Sequence, residues 1–153
     1  MSSGIRASKD CADKFVALKQ LHKFKFVIFK INDTLDEIVV ESTSADHRKD
    51  EEGKDIPMKE DMYDEFLARF PSNEGRYAVY DFDYTLKDGG DRSRILFYAW
   101  APDSARIRSR MIYTSSKSDF RKKLEGVAED IQANDEDGLS RDAVLDKLMS
   151  KYH

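Results

Sequence analysis

Two segments joined by a short turn constrain the fold of this chain most strongly. Residues 76–86, RYAVYDFDYTL, place large apolar side chains at every second position, which is typical of a β-strand. Residues 93–100, SRILFYAW, form a second apolar run of strand length. Between them, Lys87-Asp88-Gly89-Gly90 supplies two glycines that tolerate a positive φ angle. The sequence therefore predicts a long β-hairpin at the centre of the chain.

Other segments show strand and helix patterns of their own. Residues 23–31, KFKFVIFKI, are predicted to be a buried strand that returns, after an Asn32-Asp33 turn, as a second strand at 37–43. Apolar residues at helical spacing predict several helices, and in the first of them His22 shares a face with the apolar residues. The predicted helices span about residues 9–22, 58–70, 103–125 and 141–152, and residues 131–133 are predicted to be a short last strand.

These elements predict a single domain of the α+β class. Two hairpins and a helical crossover imply a mixed, mostly antiparallel central sheet of about five strands, flanked by helices, with the last strand parallel to its neighbour. Residues 1–7 are expected to be a flexible N-terminal arm and residues 8–153 the folded domain. The polar residues 44–57 are expected to be a mobile loop.

The long helix predicted near residues 103–125 is expected to be kinked. On a straight helix, Arg110 and Arg121 would share a face with Phe120, which would mix surface residues with core residues. The three hydroxyl residues at 114–116 can compete for backbone hydrogen bonds. A bend at that point would separate the basic side chains from the apolar ones.

Composition restricts the class of protein further. The chain has 153 residues and a net charge of −4, and it lacks the long apolar run of a membrane span and the apolar core of a secretory signal. Cys11 is the only cysteine, so an internal disulfide is excluded and a reducing, intracellular setting is expected. We find no metal-ligand spacing, nucleophile elbow or glycine-rich phosphate loop, and we therefore expect neither a cofactor nor an enzyme.

Positive charge is concentrated in the segment Trp100–Leu124, although the chain is acidic overall. A basic surface on an acidic protein indicates a docking site for an acidic partner. Nucleic acid is disfavoured, because the net charge is negative and no stacking platform is evident. An acidic protein surface and an anionic lipid head group both remain open. The basic residues are Arg106, Arg108, Arg110, Lys117, Arg121, Lys122 and Lys123.

Several motifs follow one another along the chain in a fixed order. They are FVALK at 15–19, KFKFVIFKIND at 23–33, YAVYDF at 77–82, WAPD at 100–103, RMIYTSSK at 110–117 and IQAN at 131–134. In content and order these motifs resemble the ADF/cofilin family of actin-binding proteins, and its cofilins in particular. The resemblance covers nearly the whole chain.

The resemblance implies a function in the actin cytoskeleton. Family members bind actin monomers and filaments, sever and depolymerise ADP-actin filaments, and promote actin turnover. A cytoplasmic location follows, with the nucleus as a second location. Two alternatives stay open: a phosphoinositide-regulated binding adaptor that uses the same basic helix, and a monomer-sequestering actin binder with weak severing. A hydrolase is a more distant alternative.

The resemblance also implies two actin-binding surfaces. The first, for monomers and filaments, comprises Ser3, Gly4, Arg106, Arg108, Arg110, Met111, Lys117, Arg121 and Lys122. The second, for filaments alone, comprises Arg92, Arg94, Asp146 and Lys147. Arg106 stands where the family usually has proline. Anionic phosphoinositides would bind the same basic helix.

The N-terminal arm is implied to carry a regulatory site. Ser3 directly precedes Gly4, as the serine phosphorylated by a regulatory kinase does in relatives, and Ser2 is the adjacent alternative. The short arm would be accessible to a kinase. A phosphate there would add about −1.5 to −2 charges and would oppose binding to acidic actin.

Overall fold

The computed structural model describes residues 4–44, 51–54 and 61–151. Ser3, most of the predicted loop 44–57 and the first residues of the predicted helix 58–70 therefore lie outside the described residues. The mobility expected for the arm and for the loop stays a prediction.

A six-stranded mixed sheet forms the centre of the described structure. Its strands are β1 Arg6–Ala7, β2 Phe26–Ile31, β3 Glu37–Thr43, β4 Arg76–Thr85, β5 Asp91–Trp100 and β6 Glu129–Ala133. The order across the sheet is β1-β3-β2-β4-β5-β6. The inner pairs are antiparallel, whereas β1 with β3 and β5 with β6 are parallel. The predicted parallel last strand is confirmed, because β6 pairs with β5 in that direction.

Five helices are present among the described residues. They are α1 Lys9–Lys19, α2 Tyr63–Leu67, α3 Ile107–Lys122, α4 Glu136–Leu139 and α5 Arg141–Lys151. Within the described ranges, none of them is both long and apolar enough to cross a lipid bilayer. The predicted α+β class, with helices flanking a mixed sheet and a long helix before the last strand, is confirmed.

Strand alternation on β4 distributes the helices over the two faces of the sheet. Tyr77 and Val79 belong to the apolar cluster that also contains buried residues of α1 and α3. Tyr80 and Phe82 belong to the opposite cluster, which contains buried residues of α2, α4 and α5. Burial of each such side chain stabilises the fold by roughly 1.5–3 kcal/mol. Helices α1 and α3 therefore cover one face, and α2, α4 and α5 cover the other.

The predicted hairpin is confirmed almost residue for residue. Strands β4 and β5 pair without a register shift from Arg76 opposite Trp100 to Thr85 opposite Asp91. The turn between them contains Gly89 at φ 91°, a backbone conformation that glycine adopts without a steric cost.

Three sequence-based expectations differ from the structure. The sheet has six strands rather than about five, because Arg6 and Ala7, expected in the arm, pair with Glu37 and Ile38. Helix α1 ends at Lys19, and His22 lies beyond it at φ 52° with an exposed side chain, so its predicted place on the inner helical face is wrong. Helix α4 was not predicted, since four residues carry too little helical periodicity to recognise.

Helix α3 is unbroken from Ile107 to Lys122. Its buried residues are Tyr113, Ser116 and Phe120, at the three- and four-residue spacing of one helical stripe. The Ser115 hydroxyl donates a hydrogen bond to the Ile112 carbonyl at 3.2 Å, a contact that bends helices. The predicted kink stays a prediction. The competition of a side-chain hydroxyl for a backbone carbonyl, on which the kink depends, is present at Ser115.

Candidate protein-binding surface

Tyr113 anchors the middle of α3 to the sheet. The backbone N–H of Ile31 donates to the Tyr113 hydroxyl at 2.9 Å, and the Tyr77 hydroxyl donates to the Tyr113 carbonyl. Burial raises the pKa of both tyrosines, so each hydroxyl keeps its proton at neutral pH. A Cβ atom at Gly75 would lie 2.5 Å from the Tyr113 ring, so glycine is required there for this close packing. These contacts fix which face of α3 turns outward.

Two large apolar side chains are exposed on the outer face of α3. Ile107 is 67% exposed and Met111 is 65% exposed. Together with Arg108, Ile112 and Ser115 they line a shallow, open groove of about 560 Å³. Contiguous apolar surface that is exposed and bordered by charge is typical of a protein-binding site.

Cations without a partner among the described residues lie near both ends of α3. Arg106, Arg108 and Lys122 are exposed, as is Lys123 at the end of the helix. Among the residues that the structure describes, the side chains of these four residues have no ion-pair or hydrogen-bond partner. Their charge is therefore available to an acidic partner. We call Arg106, Ile107, Arg108, Met111 and Lys122 the α3 outer surface.

Three other basic residues predicted for the same site have partners within the chain. Arg110 lies 3.8 Å from Asp103, measured from Nη1 to Oδ1. Lys117 Nζ donates to Gln132 Oε1 at 2.9 Å, and Arg121 Nε donates to a carboxylate oxygen of β6. These residues lie on the flank of α3 and are half-buried. Within the described part of the chain, the predicted set thus divides into outer cations whose side chains have no partner and flanking cations whose side chains have one.

The N-terminus of α3 is unfavourable by the rules of helix formation. Its N-cap, Arg106, makes no side-chain capping bond, and its first turn contains no acidic residue. Arg108 and Arg110 add positive charge where the helix dipole is already positive. Sequences that violate local rules in this way are expected at functional sites. The cations at this end therefore do not stabilise the helix.

The residues predicted to bind filaments alone lie elsewhere. Arg92 and Arg94 are on β5, opposite Tyr84 and Phe82, and Asp146 and Lys147 are on α5. Arg92 is exposed and Arg94 half-buried, while Asp146 and Lys147 are exposed. Because Phe82 and Tyr84 belong to the cluster beneath α5, these residues lie on the sheet face opposite to α3.

The first described residues lie on the same side of the sheet as α3. Gly4 is exposed, with φ 80°. The next residue, Ile5, packs against the same apolar cluster as Ile112 of α3. Ser3 lies outside the described residues, so its predicted role stays a prediction.

Several functional candidates were not found from sequence. Asp103, Asp130 and Gln132 hold three of the predicted basic residues, but each pair joins residues 7 to 15 positions apart, and no local pattern signals such pairing. Within the described ranges, no group of three or more His, Cys, Asp and Glu side chains could hold a metal ion.

Comparison with known proteins identifies the family. Residues 4–149 match the model of the cofilin/tropomyosin-type actin-binding proteins. A cofilin of Mycosarcoma maydis is 43% identical over 148 residues, which cover 97% of this chain and 96% of that protein. Actin-depolymerizing factor 8 of Arabidopsis thaliana is 35% identical over 147 residues, covering 96% of each chain. The crystal structure of a Streptomyces griseoflavus cofilin superposes with a TM-score of 0.79 at 35% identity, covering 98% of this chain and 100% of that one.

The fold and the extent of these matches define a cofilin-type domain. The chain belongs to the cofilin/ADF family of actin-binding proteins.

The uncapped start of α3 leads to a stability prediction. Arg106→Ser should raise the free energy of unfolding by about 0.5–1.5 kcal/mol, because serine supplies the missing cap and a cation leaves the positive end of the helix dipole. Urea denaturation measures this change. Arg106→Ala removes the charge without adding a cap and should give a smaller gain. A loss of stability in Arg106→Ser would show that Arg106 is needed for the fold.

Proposed function

We propose that this protein binds actin monomers and filaments, severs and depolymerises ADP-actin filaments, and promotes actin turnover in the cytoplasm and, secondarily, in the nucleus. The observation that carries the proposal is the α3 outer surface, on which the exposed Ile107 and Met111 are bordered by cations without partners among the described residues. Family membership supports actin as the acidic partner of this surface.

Each part of the α3 outer surface has a separate physical role. Burial of Ile107 and Met111 against a partner contributes affinity, at about 25 cal/mol per Å² of apolar area removed from water. Arg106, Arg108 and Lys122 speed encounter with an acidic surface and reject partners of the wrong charge. None of these roles requires a chemical step, which supports a binding protein rather than an enzyme.

Severing would follow from binding by a shift of populations. A protein that binds one filament geometry more tightly than another moves the filament toward the favoured geometry. Strain then accumulates at the junction between decorated and bare segments. Two separate surfaces, on α3 and on α5 with β5, would allow one molecule to contact two filament subunits.

Co-sedimentation with actin filaments tests the proposal directly. The protein should pellet with ADP-actin filaments, and filaments viewed singly should break at a rate that depends on its concentration. Binding to monomers without breakage would favour the sequestering alternative. Absence from the pellet, together with no binding to monomers, would refute actin binding altogether.

The free cations should dominate monomer binding. Arg108→Glu combined with Lys122→Glu should weaken binding to actin monomers by about 30-fold to 1000-fold, because two attractions become like-charge repulsions. The melting temperature should change little, because neither residue has a partner among the described residues and the two changes act in opposite directions on the helix dipole, Arg108 lying in the first turn and Lys122 in the last. Fluorescence titration of labelled monomers measures the affinity.

A matched control makes the same change of charge on another surface. Lys87 and Arg92 are exposed on the β4–β5 hairpin, and Lys87→Glu with Arg92→Glu should leave monomer affinity within about 2-fold of wild type. Equal losses in the two double variants would mean that net charge, and not the α3 outer surface, decides binding.

The second surface should be specific to filaments. Arg92→Gln with Lys147→Gln should weaken filament co-sedimentation by about 10-fold or more while monomer affinity stays near that of wild type, because these residues lie on the sheet face opposite to α3. Affinities measured in parallel for monomers and for filaments test this prediction. The two-surface proposal fails if both affinities fall together.

Ser3 is proposed as the regulatory position. Ser3→Glu should weaken binding to monomers and filaments by about 10-fold or more, because negative charge is added beside an acidic partner. Thermal stability should be unchanged, and Ser2→Glu should have the smaller effect. Full actin affinity in Ser3→Glu would place the arm outside the interface.

Anionic phosphoinositide head groups are a second proposed ligand of the α3 outer surface. The supporting observation is again the set of cations without described partners, each of which contributes about 1 kcal/mol near an anionic membrane. Because lipid and actin would use the same side chains, one molecule should not hold both at once. If lipid and actin exclude each other, they share one site. If both bind at once, the lipid site is separate, as in an adaptor.

A further inference from the structure

Strand β6 lies between the two proposed actin-binding surfaces. It is the last strand of the sheet, and its first two residues are Glu129 and Asp130. Helix α3 covers one face of the sheet and α5 covers the other. Since successive side chains of a strand point to opposite faces, adjacent residues of β6 can contact different helices.

Asp130 contacts the basic flank of α3. Its Oδ1 accepts a hydrogen bond from Arg121 Nε at 2.7 Å, and both side chains are about one-third exposed. Arg121 Nη2 makes a longer contact of 3.4 Å to the Val127 carbonyl. Arg121 Nη1 has no partner among the described residues, so it can still bind a carboxylate of another protein.

Glu129 contacts α5 instead. Its carboxylate lies 3.0 Å from Lys151 Nζ and 3.7 Å from Lys147 Nζ, and its side chain is only 11% exposed. Burial acts to raise the pKa of Glu129, but hydrogen bonds from Lys151 and from the Asp130 N–H, together with the charges of Lys147 and Lys151, outweigh burial and lower that pKa. Glu129 is therefore ionised at neutral pH. Lys147 Nζ also donates to the Asp130 carbonyl at 2.7 Å.

We propose that Glu129 and Asp130 are positioning residues for actin binding, each for a different surface. Asp130 holds Arg121 in place on the surface that binds monomers and filaments. Glu129, together with the Asp130 carbonyl, holds Lys147 in place on the surface proposed to bind filaments alone. The inference rests on the proposed function, and it adds two acidic residues to surfaces whose charged residues are mostly basic.

The physical reason is the entropy of long basic side chains. A free arginine or lysine must be ordered when a partner binds, and that ordering reduces affinity by roughly 2-fold to 10-fold for each side chain. A side chain already held by an intramolecular carboxylate has lost this freedom before binding. Arginine suits the arrangement, because Nε can pair within the protein while another nitrogen faces the partner.

The two acidic residues could also have the opposite effect on actin affinity. An acidic residue beside an acidic partner could merely repel it, and its removal would then strengthen binding. The direction of the change therefore separates a positioning role from simple repulsion.

Two adjacent substitutions test the proposal, and each serves as the control for the other. Asp130→Asn should weaken monomer binding by about 3-fold to 10-fold, whereas Glu129→Gln should leave monomer binding unchanged. Glu129→Gln should weaken filament co-sedimentation by a smaller factor, because the Asp130 carbonyl still holds Lys147. Each change removes one negative charge and preserves the size of the side chain. In an Arg121→Gln background, Asp130→Asn should have no further effect.

An NMR measurement on the free protein tests the geometry without actin. The Arg121 Nε–H signal should exchange slowly with water in the wild type and fast in Asp130→Asn, while Glu129→Gln should leave it slow. Rapid exchange in the wild type would overturn the proposal, and so would tighter actin binding in either variant. Equal effects of the two substitutions on monomer binding would also overturn it, as would additive effects of Asp130→Asn and Arg121→Gln. Failure of the wild type to bind actin would remove the proposed function as well, and the NMR result would then report only the ion pair.

Discussion

The hydrogen bonds that join Tyr113 to the sheet are the contacts on which the rest of this surface depends. Tyr113 accepts from the Ile31 N–H through its hydroxyl, and its carbonyl accepts from Tyr77. Because these bonds fix the rotation of α3 about its axis, they decide that Phe120 is buried and that Met111 is exposed. A small rotation of the helix would turn both the basic and the apolar residues of the outer surface away from a partner.

The N-terminal end of α3 gives up helix stability, and the proposed binding role would explain this. A helix that begins at an uncapped arginine, followed by further arginines in its first turn, gives up stability that a serine or aspartate would supply. The anchor at Tyr113 offsets that loss, because burial of the inner stripe holds the helix in place regardless of its N-terminus. Packing on one face thus allows the other face to carry cations that have no partner among the described residues.

Features of this molecule that are defined by residues close together in the sequence could be predicted, and features that depend on distant residues could not. The β4–β5 hairpin was predictable, because alternation and turn glycines lie within one short segment. Strand β1 was not, since Arg6 and Ala7 become a strand only through pairing with β3. Arg108 and Arg121 look alike in sequence, yet Arg108 has no partner among the described residues and Arg121 is held by Asp130. That distinction arises only when the crossover brings β6 beside α3.

Hydrogen–deuterium exchange with actin monomers is the most direct test of the α3 outer surface as the binding site. If α3 binds actin through this surface, backbone amides between residues 104 and 123 should become more slowly exchanging in the complex. Amides of α2, on the opposite sheet face, should not change. Protection confined to α2 or to the β4–β5 hairpin, with α3 exchanging as in the free protein, would contradict the account.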